Sequence, residues 1–423
     1  VAKYRNSFLD RKDLPTCLAP WHALTVKWGG NVIPDIIYRK GYGMGNLNFQ
    51  SLPEILGGIE YRELRESHRN REIPDTCIGC AKKEKSGNSR RMFFWDKLDL
   101  DVKEASVDVD KNTIPDIRYL DFTLSNKCNL ACIHCNASVS TGWTKDGTQL
   151  NKEMPEYWNK RPIGFNGTDI RFMDNLFIEP TYFRNLQWVA LRGGEPLYDN
   201  TCIAVLRWFV DNGLSENISL DISTNATVFR DEFYELFSKF KHVEILISVE
   251  ATDELYSIIR GGKYTWSQLK ENIEKFYDIP NIEVVYAVTV MITNIFALAD
   301  VWEWFDKYHK NRASISMSNA VVNPSYLDIG MMPPELKAIA LDKMSKIPAI
   351  ASWPENSYNY NAEEFEYQTG IEAIRNGLLR ELTIDENERD KNWKWFLQYT
   401  RDLDRLRGTD TFKYITEIQN YEK

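Results

Sequence analysis

Two rhythms of apolar and polar positions run along this chain. From residue 117 to about 320, short β-rich apolar runs recur at 117–124, 186–192, 217–223, 243–249, 282–290 and 313–319. Between most of them lie amphipathic stretches of helical length, at 200–212, 230–240, 265–277 and 295–309. Strands separated by helices predict right-handed parallel βαβ units, arranged as a doubly wound sheet or a barrel. The first connection, 136–185, is unusually long and rich in polar and aromatic residues, as expected of a segment that covers a functional edge. Beyond Pro333-Pro334 the pattern turns mainly helical, with a Trp/Tyr-containing segment near 393–399.

The N-terminal part reads as a small α+β unit. Runs 22–28 and 31–38 flank Gly29-Gly30, a pair suited to a two-residue hairpin turn. Ser51 and Glu54 form a capping box with Pro53 in the first turn, opening a helix that ends near Leu56. A second helix is expected over 59–68, and a polar, acidic stretch at 96–116 reads as a connection. The organisation predicted is an N-terminal unit at 1–110, an α/β unit at 111–345 and a helical C-terminal region at 346–423.

Charge narrows the partners. A net charge of -9 leaves no electrostatic footprint for a nucleic-acid backbone. No apolar run is long enough to span a bilayer and no secretory signal is recognisable, which makes the cytoplasm the expected location. In that reducing compartment, seven cysteines at 17, 77, 80, 128, 132, 135 and 202 read as metal ligands rather than disulfides.

The most specific motif is Cys128-x3-Cys132-x2-Cys135, directly after the first strand of the α/β unit. Three thiolates so spaced can wrap one face of a cubane [4Fe–4S] cluster and leave one iron open, since such a cluster takes four ligands. The competing reading is a zinc site, which needs a fourth ligand; His134, between two of the cysteines, is expected to be poorly placed for that. The second strand ends in Gly193-Gly194-Glu195-Pro196. Paired glycines permit close approach to the backbone, and the carboxylate can accept hydrogen bonds from an ammonium group. The motif falls at the carboxyl edge of the strands, where such folds bind ligands.

Together these residues resemble the radical S-adenosylmethionine (SAM) superfamily, along nearly the whole chain. The resemblance implies a partial (β/α)6 barrel, with Cys128, Cys132 and Cys135 on a cluster whose open iron is chelated by the amino and carboxylate groups of SAM. It further implies that Glu195 holds the SAM amine, that Gly193 and Gly194 line the methionine end and that His134 packs near the adenine. Ser248 and Glu250, in a Ser-Val-Glu-Ala run similar to the family's Ser-x-Asp-Gly, are placed near the ribose or carboxylate. Asn225 and Arg260 are candidates of the same kind, with a surface ion pair as the competing role for Arg260.

In the N-terminal unit Cys17-Leu-Ala-Pro-Trp21, then Gly30-x4-Asp35, then Cys77-x2-Cys80 resemble the twitch or SPASM-type module that holds an auxiliary iron–sulfur cluster. In most relatives this module follows the barrel; here it precedes it, as in a recognisable subgroup of twitch-domain radical SAM proteins, which Leu403-x2-Leu406-Arg-Gly-Thr also fits. Asp35 stands where the family pattern has a fourth cysteine. Three readings stay open: Asp35 ligates the fourth iron, that iron is open to substrate or another residue, or the site holds zinc with His22. Cys202 lies outside both clusters and reads either as a buried core residue or as a hydrogen-atom donor near the catalytic edge.

The chemistry implied is reductive cleavage of SAM to a 5′-deoxyadenosyl radical, which abstracts hydrogen from a substrate, with a flavodoxin- or ferredoxin-type protein as reductant. The substrate expected first is a peptide or protein side chain; a small metabolite such as a sugar or nucleotide derivative is the alternative. With the module at the N-terminus, no separate leader-binding domain is expected. A non-catalytic iron–sulfur or zinc protein is the reading from another class.

Overall fold

A computed structural model of the chain describes residues 17–38, 43–70, 72–78, 80, 90–98, 116–158, 171–348, 370–379 and 384–421. Most of the acidic connection expected at 96–116 and part of the 136–185 segment lie outside the described residues.

The six expected strands form: β4 (Tyr119–Thr123), β5 (Trp188–Arg192), β6 (Ser219–Thr224), β7 (His242–Ser248), β8 (Ile282–Val290) and β9 (Ser314–Ala320). They are hydrogen-bonded in chain order, each parallel to the next. This is the partial (β/α)6 arrangement, with helices crossing over between successive strands. The sheet does not stop at β4. The N-terminal strands β1 (Ala23–Lys27), β2 (Asn31–Ile33) and β3 (Gly45–Asn46) extend it in the order β3-β2-β1-β4, so the described sheet has nine strands. β1 lies parallel to β4, with Leu24 beside Leu120 and Val26 beside Phe122.

The hairpin between β1 and β2 differs from the two-residue turn expected. Val26 pairs with Val32, and Trp28–Gly30 makes a tight helical turn between the strands, with both glycines at φ +78°. A bulky residue cannot hold that left-handed backbone cheaply, which explains the glycines without requiring a two-residue loop. The capping box is as expected: Ser51 accepts from the Glu54 backbone, and Glu54 accepts from the Ser51 backbone.

The helices used below are α1 (Ile59–Arg69), α2 (Arg90–Lys97), α3 (Thr144–Glu153), α4 (Asn200–Asp211), α5 (Asp253–Ile259) and α6 (Glu386–Arg407). Helix α5 was not expected, because seven residues span too little sequence to show helical periodicity. Among the described residues, no helix is long and apolar enough to cross a membrane.

Alternation along the strands gives the sheet two different faces. Leu120, Phe122, Val189, Leu191, Leu220, Ile222, Val243 and Ile245 are fully buried in the main core. The opposite face carries Tyr119, Asp121, Trp188, Ala190, Asp221 and Glu244. Helix α2 covers part of it, packing Phe94 into a second cluster with Ala23, Tyr119 and Ala190. Charges on this face are paired where they can be: Arg192 meets Asp221 at 2.6 Å, and Lys97 lies 3.7 Å from Glu244. Burial pushes the carboxyl of Asp121 up to about 6.

Phe122 fills the main core without a polar contact, so Phe122→Ala should destabilise the chain by about 3–5 kcal/mol, read from the shift of its urea midpoint at constant slope.

Candidate active site and auxiliary centre

The three clustered cysteines lie in a loop that leaves the carboxyl end of β4 and has no repetitive structure of its own. Such a loop must find partners for its buried peptide groups elsewhere. The carbonyl of Cys128 accepts from Thr141 Oγ1 at 3.0 Å, that of Leu130 from Ser140 Oγ, and that of Cys132 from Trp143 Nε1 at 2.8 Å. The distant helix α6 supplies two more donors: Arg407 to the carbonyl of Ala131 at 2.8 Å, and the Tyr399 hydroxyl to that of Ile133. Arg407 is itself fixed by Asp146 of α3 at 2.9 Å and lies over the Trp143 ring. The Ile133 N–H donates to Ile259 O at 2.9 Å.

Close backbone approach fixes the same loop on three sides. A Cβ on Gly194 would sit 2.2 Å from Lys127 O, one on Gly142 2.2 Å from Leu130 O, and one on Gly261 2.9 Å from Ala131 O. The Gly194 and Glu195 N–H groups donate to Ser125 O and Lys127 O at 3.0 and 2.8 Å. In the protein itself, the backbone that the Gly-Gly pair admits is that of the cysteine loop.

Cys128 and Cys132 are buried and Cys135 half-buried, packed together with Leu130 and Tyr264. The sulfurs of Cys132 and Cys135 and a ring nitrogen of His134 all lie within 4.8 Å of one another. The expectation that His134 is poorly placed for a metal is therefore corrected: the loop turns its ring toward the thiols, and its buried Nδ1 has no hydrogen-bond partner. Burial pushes the Cys128 thiol up to about 12. Cys132 is driven down, by the proton it receives from Cys135 and then by the Arg260 cation, while Cys135 is driven up in return. Three buried thiols converging in this way suit a soft metal centre that replaces their protons.

The carboxyl ends of the next strands bring up the other expected residues. Asn225, after β6, points Nδ2 at Cys128 Sγ, 3.7 Å away. Arg260 caps α5; it donates to Cys132 Sγ at 3.2 Å and to Ser248 O at 2.8 Å. Its Nε stands 3.1 Å from Glu250 Oε2, without hydrogen-bond alignment. Glu250 and Arg260 are 1 and 4% exposed, so this pair belongs to the interior beside the thiols and not to the surface. Glu195 is equally enclosed. Its oxygens accept from Leu197 N at 3.0 Å, Thr224 Oγ1 at 2.6 Å and Asn225 N at 2.6 Å, which ties the Gly-Gly-Glu-Pro turn to the end of β6. Burial outweighs these donors and raises its carboxyl to about 7.

Cys202 is where the bland reading put it. In the first turn of α4 it is fully buried among the apolar side chains of the main core, and burial raises its thiol.

The auxiliary residues lie in one region, although among the described residues their ligand atoms do not converge within 4.8 Å as those of Cys132, His134 and Cys135 do. Burial raises the Cys17 thiol, and the charges of Asp35, Cys80 and Cys77 add to the rise. The Asp35 carboxylate has other engagements: Oδ1 accepts from Ile37 N at 2.9 Å, and Oδ2 receives Arg90 Nε at 2.9 Å. His22 has its Nδ1 3.0 Å from Asp116 O and 3.2 Å from Asp116 Oδ2, while its buried Nε2 lacks a hydrogen-bond partner. A residue missed in the sequence stands beside one of the thiols: His68 Nε2 is 3.9 Å from Cys77 Sγ. Burial, with Arg91 nearby, lowers the His68 pKa to about 4. Its signal was its place on the buried stripe Tyr61, Leu64, Arg65, His68 of α1.

Comparison with known proteins agrees with this geometry. Residues 122–305 match the radical SAM superfamily, and residues 17–81 match the SPASM iron–sulfur cluster-binding domain. The chain carries a radical SAM domain preceded by a SPASM-type domain. Its two domains hold a SAM-binding [4Fe–4S] cluster and an auxiliary iron–sulfur cluster. Over 180 residues, 42% of this chain, it is 24% identical to an uncharacterized protein of Methanocaldococcus jannaschii, covering 54% of that protein. Over 180 residues, 43% of this chain, it is 25% identical to the sporulation killing factor maturation protein SkfB of Bacillus subtilis, covering 37% of it. This radical SAM chain thus spans about half or less of the length of the curated relatives it matches. Among solved structures, Streptococcus suis SuiB bound to S-adenosylmethionine is 14% identical, with 77% of this chain and 67% of that one covered and a TM-score of 0.31.

Two outcomes follow from the site's packing. Gly194→Ala should displace the cysteine loop and lower reconstituted iron from about eight to about four atoms per chain. Gly213→Ala, where a Cβ meets nothing within 4 Å, should leave the count unchanged. For Glu195, the folded carboxyl releases its proton near pH 7 instead of the ordinary 4.5. The stability this proton gives is complete below pH 4.5 and is lost as pH rises through 7, a change of about 3 kcal/mol. Urea unfolding of the metal-free protein across that window should show a flatter pH profile in Glu195→Gln.

Proposed function

We propose that this chain is a peptide- or protein-modifying radical SAM enzyme. The convergence of Cys128, Cys132 and Cys135 at the carboxyl edge of a parallel sheet carries the reading of the chemistry. The likeness to SkfB, a maturation protein, supports the substrate class. When bound, the cluster supplies one electron that cleaves SAM to methionine and a 5′-deoxyadenosyl radical able to take hydrogen from an unactivated C–H bond.

The residues of the chain bind and orient. Cys128, Cys132 and Cys135 would hold the cluster and leave an open iron available to the amino acid end of SAM. Gly193, Gly194 and Glu195 shape the methionine side of that space, and Asn225 faces Cys128. Ser248, Glu250 and Arg260 form the wall beside Cys132, with the Arg260 cation available to a carboxylate. His134, beside the Cys132 and Cys135 thiols, would pack near the adenine. Asp121, Asp221 and Arg192, on the polar face of the sheet, suit a substrate rich in hydrogen-bonding groups. Residues 1–110 serve as the auxiliary-cluster domain, 111–345 as the barrel and 346–423 as the helical region that secures the cysteine loop. The electron comes from a flavodoxin- or ferredoxin-type protein.

Anaerobically reconstituted protein, given SAM and dithionite, should release 5′-deoxyadenosine. The Cys128→Ala/Cys132→Ala/Cys135→Ala variant should release none while keeping its far-ultraviolet circular dichroism. A peptide substrate deuterated on its side chains should pass deuterium into the product. Release that survives loss of all three thiols overturns the chemistry, and transfer only from a sugar or nucleotide overturns the substrate class.

A further inference from the structure

We infer that Asp121 receives the cationic end of a lysine or arginine side chain of the substrate, on the polar face of the sheet and below the edge that bears the cysteine loop. This rests on the peptide- or protein-modifying function proposed above and adds a charge to that substrate.

Asp121 belongs to an acidic row cut across the sheet. The ladders set Asp121 beside Ala190, Ala190 beside Asp221 and Asp221 beside Glu244, so three carboxylates share one level on one face. Their cations are unevenly shared. Arg192 meets Asp221 at 2.6 Å and also donates to Ser223 Oγ. Lys97 lies 3.7 Å from Glu244, and on the auxiliary side Arg90 holds Asp35 at 2.9 Å. Asp121 is 2% exposed; its Oδ1 is buried without a hydrogen-bond partner, and it forms no ion pair among the described residues. Asp221 Oδ1, across Ala190, is also buried without a hydrogen-bond partner.

A carboxylate enclosed in this way is costly until a counter-charge reaches it. Arg192 and Arg90 act on Asp121 from a distance and are opposed by Asp221 and Asp35, the aspartates on which they are closed. The counter-charge therefore falls to the ligand. A hydroxyl or a neutral amide would satisfy the oxygen and leave the charge; an ammonium or guanidinium group supplies both donor and charge. The way in is graded. Two residues further along the strands, at the level of Thr123, Arg192, Ser223 and Leu246, the side chains on this face are half-buried. That step is about 7 Å of strand, within reach of an extended lysine or arginine whose backbone stays at the edge. Leu246 suits the apolar stem of such a side chain. Thr123 ends β4 just ahead of the cysteine loop, so the carbons of the anchored residue would lie on the side where SAM is cleaved.

The test is anaerobic calorimetry of the reconstituted, SAM-loaded chain with N-acetylated, amidated tripeptides Gly-X-Gly, where X is lysine, norleucine, arginine or citrulline. Norleucine and citrulline keep the shape of the basic side chains and remove their charge. The lysine peptide should bind at least about tenfold more tightly than the norleucine peptide, or the arginine peptide than the citrulline one. Asp121→Asn should abolish that preference. Asp211→Asn, an exposed acid at the end of α4, should keep it, which sets aside a general attraction of basic peptides to an acidic chain. Should Asp121→Asn not fold, Asp121→Thr, whose side chain suits a strand, takes its place. The inference is overturned by equal binding of charged and neutral peptides, by binding of none, by a preference that survives loss of Asp121 or disappears in Asp211→Asn, or by binding of glucosamine where no basic peptide binds. The radical chemistry is read separately, as 5′-deoxyadenosine released from the same material with dithionite. Release without a preference for charge removes this inference alone, and a preference without release removes the radical reading alone.

Discussion

One loop between β4 and α3 constrains most of what surrounds it. Three sulfur ligands within eight residues must face a common point, and no helix or strand presents them so. The backbone that does so leaves its own carbonyls without regular partners, and a buried unpaired carbonyl is expensive. The chain answers with side-chain donors from residues 140–143 and from α6, and with glycines at 142, 194 and 261 where another backbone must come within contact distance. The C-terminal helix thereby belongs to the site, although more than 250 residues separate Arg407 and Tyr399 from the carbonyls they hold.

The electrostatics at this edge depend on what the thiols become. As bare thiolates they are costly neighbours: burial pushes Cys128 up toward its protonated form, and Cys132 and Cys135 compete for one proton beside Arg260. The Glu250–Arg260 pair brings a balanced charge into the interior, with the cation on the side of Cys132. A centre that takes the place of those protons relieves the competition, and hydrogen bonds from Arg260 and Asn225 to ligand sulfur would tune its potential.

Much of this was legible in the sequence. Strand positions followed from apolar runs bounded by turn residues, and the cysteine spacing and Gly-Gly-Glu-Pro marked the active edge. What stayed hidden was non-local. Nothing in residues 22–28 announces that β1 pairs parallel with β4, since register is set by partners about a hundred residues away. Helix α5 was too short to reveal its period, so the sequence left Arg260 between a ligand-side role and a surface ion pair; it is the buried neighbour of Cys132. Asp35 read as a ligand from its position in the pattern, while Arg90, which claims it, lies 55 residues further on. His68 was passed over because a histidine on an apolar helical stripe is usually a packing residue.

The β1–β4 ladder has a mechanical meaning. Five consecutive registered pairs, from Ala23 beside Tyr119 to Lys27 beside Thr123, weld the auxiliary unit to the strand that launches the cysteine loop. Both parts share one hydrogen-bonded sheet, so sliding the auxiliary unit past the strand that launches the cysteine loop would mean breaking this ladder.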